Sequence, residues 1–145
     1  MICALFGNSQ LFENVEQMLH QRLCSLIQEH GAIQFYVGTH GSFDAIALRV
    51  LKKLKAQYPF IDYTIVLAYL PTKPREFTAT ESMHSVFPHI LEATPLRFAI
   101  DKRNRWMLEQ ADVVLTYTRY STGNTAKYKQ LAMKMRKPVI ELYTK

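Results

Sequence analysis

Cysteine, clustered histidine and long apolar runs are what this sequence has least of. Its two cysteines, Cys3 and Cys24, form no CxxC and no metal-type spacing, so they read as buried thiols acting as small hydrophobes. The five histidines, His20, His30, His40, His84 and His89, make no HxH or HExxH pair. No metal site and no cofactor are therefore expected. No apolar run approaches the length that crosses a bilayer, which removes the membrane from the expected partners. Met1 to Gly7 lacks the basic region, long apolar core and cleavage site of a signal peptide, so a cytoplasmic protein is expected. Linkers, repeats and low-complexity tracts are absent too. Residues 1–145 read as one domain, long enough for a single buried core.

Charge of one sign is in excess. The formal charge is +6, with much of it in Lys52-Lys53-Leu54-Lys55, Lys102 to Arg105 and Lys127 to Lys137. Solvated helix faces account for most of this. The remainder points to an anionic small ligand or to nucleic acid. Spread over several helices, the charge favours the small ligand.

What the chain does contain is an alternation of short apolar runs and amphipathic stretches. Ile2 to Phe6, Ile33 to Val37, Asp62 to Leu70, Asp112 to Tyr117 and Val139 to Tyr143 read as strands. The continuous runs Ile65-Val66-Leu67-Ala68 and Val113-Val114-Leu115 suit strands buried on both faces. A helix capped by Ser9 and stopped at Gly31 is expected between the first two strands. Others are expected from Phe43 to a stop before Tyr58-Pro59, from an Asp101 cap to about Gln110, and from Asn124 to Arg136. Pro71 to Pro95 has poor periodicity, with a helical turn or two between Ser82 and Leu91. It reads either as a lid or as a packed crossover. The whole predicts an α/β fold, a Rossmann-like three-layer sandwich with a mostly parallel central sheet.

In such a sheet, ligands sit beyond the carboxyl ends of the strands, where helix N-termini point free N–H groups outward. Three loops converge on that edge, contributing Gly7, Asn8 and Ser9, then Gly38, Gly41 and Ser42 with Phe43 following, and then Tyr120-Ser121-Thr122-Gly123-Asn124-Thr125. Asn104 falls on the apolar stripe of its helix, where its amide must bond neighbouring backbone or a ligand. Arg103 flanks it, with a fork that fits phosphate oxygens. Lys127 opposes the dipole of the last helix, a sign that a bound anion would reverse. Trp106, Phe43 or Tyr120 could stack on a base, and Met107 shares the inner face. These residues are the expected ligand-binding set, with no catalytic residue among them.

The Gly-Asn-Ser end of the first strand, the turn Gly38-Thr39-His40-Gly41-Ser42-Phe43-Asp44, Arg103-Asn104-Arg105-Trp106-Met107, Ala111-Asp112-Val113-Val114-Leu115 and the glycine turn at Gly123 together resemble the SLOG superfamily. This Rossmannoid group includes YpsA-like proteins, LONELY GUY phosphoribohydrolases and DprA proteins, and the likeness is greatest to the YpsA-like branch. It implies a pocket for nucleotides or nucleotide-derived signals, in a sensor or sequestering protein, and a homodimer or higher homo-oligomer. The phosphoribohydrolases carry a Glu after their glycine loop, whereas Tyr120 to Tyr128 holds no acid, so binding without cleavage is the leading expectation. The alternative is an N-glycosidase acting on nucleoside 5′-monophosphates. It would use Arg103, which matches that family's arginine, and Asp44, with Glu81 a more distant candidate. Nucleic acid is the less favoured partner.

Overall fold

The structure, a computed structural model, describes residues 1–11, 13–32, 34–70 and 84–144. Six strands form one parallel sheet: β1 (Ile2–Gly7), β2 (Gln34–Val37), β3 (Asp62–Val66), β4 (Ser85–Val86), β5 (Val113–Tyr117) and β6 (Val139–Glu141). Their order is β4-β3-β2-β1-β5-β6, and β1 runs beside β5 from Cys3↔Val113 to Gly7↔Tyr117. Four helices cover the faces: α1 (Glu16–His30), α2 (Ser42–Gln57), α3 (Ala99–Gln110) and α4 (Asn124–Lys134).

The strand alternation explains the continuous apolar runs. In β1, Cys3 and Leu5 join the core under α1 and α2, with Leu23, Phe35, Leu51 and Leu54. Ala4 and Phe6 face the other way, into the core under α3 and α4, with Met107, Leu108, Tyr128 and Ala132. With both faces covered, β1 carries no polar side chain, and the one in β5, Thr116, is satisfied by Glu141 at 2.8 Å. The result is the Rossmann-like three-layer sandwich, with all described strand pairs parallel. No described helix is long and apolar enough to cross a membrane. Burial pushes the Cys3 thiol up to about 12, so it stays protonated, while Cys24 is half-buried.

Several expected boundaries differ. α1 begins at Glu16, whose N–H bonds the Asn14 side chain at 2.9 Å, not at Ser9. Ser9 is spent elsewhere: its carbonyl accepts the Ser42 N–H at 2.8 Å. Asp101 lies inside the first turn of α3 rather than capping it. Between Ser82 and Leu91 the described residues form the edge strand β4 and a 3-10 helix from His89. Residues 71–83 of the long connection, Glu81 included, lie outside the described residues. Gly31 ends α1 as expected, in the left-handed region at φ 68.

Arg136 follows α4 with φ 59, a left-handed conformation that costs a branched backbone about 1 kcal/mol relative to glycine. Its neighbours already complete the helix stop, with Lys137 N–H on the Ala132 carbonyl at 3.0 Å. Arg136→Gly is therefore expected to raise stability by up to about 1 kcal/mol. A higher urea midpoint at unchanged slope checks this, and a lower midpoint counts against it.

Candidate functional site

After β1 the chain builds one half of the sheet, and with β5 it returns to the other side of β1. That reversal leaves a crevice at the carboxyl ends of β1 and β5, the place where open α/β sheets take ligands. A cavity of about 360 Å³ lies there. Asn8, Ser9 and Gln10 line it from the β1 loop, Gly38 and His40 from the β2 loop, and Tyr120 with Thr122 to Thr125 from the β5 loop. Ile100, Arg103, Asn104 and Met107 form the wall from α3, and Leu5, Phe6, Gly7, Asp44 and Tyr128 complete it.

Arg103 is the largest fully buried side chain among the described residues, 2% exposed. Its Nη1 donates to the Val66 carbonyl at 3.1 Å and to Thr39 Oγ1 at 3.4 Å, and its Nε donates to Asn104 Oδ1 at 2.7 Å. Asn104 thus holds the guanidinium as well as facing the cavity. Burial lowers the Arg103 pKa, and the Asp44 charge works against that shift. Asp44 is nearby: a Cβ placed on Gly38 would stand 2.8 Å from Asp44 Oδ2 and 3.0 Å from Arg103 Nη1. Burial pushes the Asp44 carboxyl up to about 6, against the pull of the His40 N–H bond and the Arg103 charge. Gly38 is glycine because acid and base approach each other over it.

The β5 loop is shaped by Gly123, at φ 100 and ψ −176, a region open essentially to glycine alone. No side chain caps α4. Its first internal bond, Lys127 N–H to the Gly123 carbonyl at 3.1 Å, leaves the N–H groups of Asn124, Thr125 and Ala126 ahead of the ladder. Two carboxylates fasten this loop. Glu13 accepts Tyr117 Oη and, at 2.6 Å, Arg119 Nη1. Glu141 accepts the Thr118 N–H at 2.8 Å. Asn8 Oδ1 takes the Arg119 N–H at 2.9 Å, tying the β1 and β5 loops together.

Not every expected residue reaches the cavity. Phe43 is fully buried beneath Gly7, where an added Cβ would stand 2.0 Å from Phe43 Cγ, so it offers no face for stacking. Gly41 packs on the Ser9 backbone and Ser42 hydrogen-bonds to it. Trp106 lies outside the lining, stacked on Tyr36 at 5.6 Å and 13°. Ser121 is exposed beyond the rim. Lys127 pairs with Asp101 at 3.0 Å, which relieves the dipole conflict without an anion. Asp101 also accepts Tyr128 Oη at 2.7 Å and Arg105 Nε at 2.9 Å. Although desolvation opposes them, these bonds hold its carboxyl down at about 2. Leu5, Phe6, Gln10, His40, Ile100 and Tyr128 also line the cavity, outside the expected set. Ile100 and Tyr128 read as core positions on their helices, and only the convergence of α3 and α4 on the crevice places them at a site.

Among the described residues, no group of three or more His, Cys, Asp or Glu side chains could hold a metal ion. No protein-family model matches the chain, and no curated protein matches it. Among solved structures the fold is similar to that of DNA processing protein A from Helicobacter pylori, described for its single-stranded DNA binding mode. The TM-score is 0.69 at 16% identity, and the match covers 100% of this chain. This chain spans 66% of the length of that one, just under two thirds. At this identity the likeness establishes the Rossmann-like fold, shared along the full length of the chain.

Proposed function

We propose that this chain binds a nucleotide or nucleotide-derived signalling molecule, as a sensor or sequestering protein of the SLOG type. The observation that carries this reading is one cavity faced by both the Arg103 guanidinium and the uncapped N-terminus of α4. Free N–H groups at Asn124 and Thr125 suit a phosphate, and Arg103 supplies the positive field. Tyr120, 46% exposed at the rim with the Arg119 guanidinium 5.8 Å from its ring, is the aromatic placed to stack on a base. A volume of about 360 Å³ suits a single small ligand. The fold neighbour's single-stranded DNA is a polymer of nucleotides, which supports the same ligand class. The test is calorimetric titration with mono-, di- and cyclic nucleotides and ADP-ribose, beside mass spectrometry of small molecules released on denaturation. Silence in both, with a gel shift on single-stranded DNA, would transfer the reading to nucleic acid. The homo-oligomer is part of the same proposal, and light scattering decides it.

A second reading is favoured by one observation, the Asp44 carboxyl beside Arg103 in the cavity. A group with a pKa of about 6 suits proton transfer near neutral pH. Under this reading the chain is an N-glycosidase on nucleoside 5′-monophosphates. Free base released from AMP, and lost in Asp44→Asn, establishes it; intact AMP after prolonged incubation removes it.

A further inference from the structure

The two helix N-termini at the cavity are unequal, and the inequality gives a bound nucleotide a direction. α2 carries Asp44 in its first turn. Donors at this end are partly engaged: Ser42 N–H on the Ser9 carbonyl at 2.8 Å and, just ahead of the helix, His40 N–H on Asp44 Oδ2 at 3.0 Å. A second anion at α2 would meet a carboxylate at close range. α4 has no acidic residue in its first turn and no side-chain cap, and among the described residues the one carboxylate packed against that turn, Asp101, is neutralised by Lys127 and Arg105 and does not line the cavity.

Asp44 leaves one oxygen over. Its bond from His40 occupies Oδ2, and no described residue donates to Oδ1, although the side chain lines the cavity. Arg103 is in the complementary position, with Nε and Nη1 engaged and Nη2 without a hydrogen-bond partner among the described residues. The two side chains approach each other over Gly38 through their engaged atoms, Oδ2 and Nη1, so the remaining acceptor and donor belong to neighbouring groups in the lining of one cavity. A phosphate offers only acceptors and is repelled by the carboxylate. A hydroxyl donates and accepts through one atom, and a vicinal pair satisfies both groups at once.

We infer that Asp44 and Arg103 read the 2′,3′-hydroxyl pair of a ribose, so that the cavity selects ribonucleotides over their 2′-deoxy counterparts, with the phosphate directed to α4. This rests on the nucleotide reading above. The experiment is calorimetric titration of AMP, GMP, CMP and UMP and of their four 2′-deoxy counterparts into the wild-type chain and into Asp44→Asn. Hydrogen bonds to charged groups predict that the best-bound ribonucleotide is about 10-fold or more tighter than its deoxy partner. That ratio falls at least about threefold in Asp44→Asn, because a neutral acceptor is weaker than a charged one. Equal affinity for ribose and deoxyribose forms in the wild type, or a ratio that Asp44→Asn leaves untouched, overturns the inference while the nucleotide reading stands. Silence across all eight compounds overturns the inference, and silence across the wider panel of di- and cyclic nucleotides and ADP-ribose as well overturns the nucleotide reading.

Discussion

Asp44→Asn is expected to stabilise the chain at pH 7.5 by up to about 3 kcal/mol, and the gain is expected to vanish on acidification. Burial raises the Asp44 carboxyl from the ordinary 3.8 to about 6. Between those values the folded chain holds a proton that the unfolded chain has released. Stability therefore falls as pH rises through this window, and above about pH 7 the full cost of a buried charge is present. Asparagine keeps an acceptor for the His40 N–H and carries no charge, so it escapes that cost. Below about pH 3 the wild-type carboxyl is protonated in both states and the two proteins should be equally stable; at pH 4 most of the difference is already gone. Asp101, Glu13 and Glu141, with lowered pKa values, shape the wild-type acid limb in the opposite sense. Only the difference between variant and wild type isolates Asp44. Urea titrations at pH 7.5 and pH 4 measure it, and a variant no more stable than wild type at pH 7.5 would refute the assignment. A carboxylate kept where it weakens the fold is the pattern of a binding or catalytic group.

Local chemistry made the sheet legible, and long-range contacts hid much of the site. Val113-Val114-Leu115 announces a strand covered on both faces because each alternate side chain enters a different core. Gly31 and Gly123 announce helix boundaries because their backbone angles favour glycine. The start of α1 was not legible, since Ser9 is taken by α2 and Asn8 by the β5 loop, partners 33 and 111 residues away. Gly7 is visible as a glycine, but its reason, the Phe43 ring beneath it, is a tertiary fact. The same holds for Lys127, whose misplaced charge is answered by Asp101 on another helix. β4 is two residues long, too short to carry a period. Asn104 shows the intermediate case: its polar intrusion on an apolar stripe was readable, but its bond to the adjacent Arg103 was not.

The second large effect concerns Arg103 and is best measured as a cycle with Asp44. Arg103→Met removes a buried cation of similar length, strands the Val66 carbonyl and leaves the Asp44 charge without its neighbour. Stranding a buried acceptor costs about 1–3 kcal/mol, and the Asp44 charge, left without the nearby cation, adds a penalty of its own. That penalty disappears if the remaining charge is also removed. Arg103→Met in the Asp44→Asn background is therefore expected to cost less than in the wild type, by about 1–3 kcal/mol. Denaturant titrations of the four proteins at pH 7.5 give the coupling directly. At pH 4, where Asp44 is protonated in every species that carries it, the coupling should shrink towards zero. A cycle that is additive at pH 7.5 would mean the guanidinium does not sense the carboxylate. Arg103 would then be held only for its bonds to Val66, Thr39 and Asn104, and the joint site across Gly38 would be lost. Nucleotide binding separates the roles further. Arg103→Met loses affinity for both ribose and deoxyribose forms, because it removes positive charge from the cavity, and also lowers the ratio between them, because it removes a donor to the hydroxyl pair; Asp44→Asn acts chiefly on the ratio.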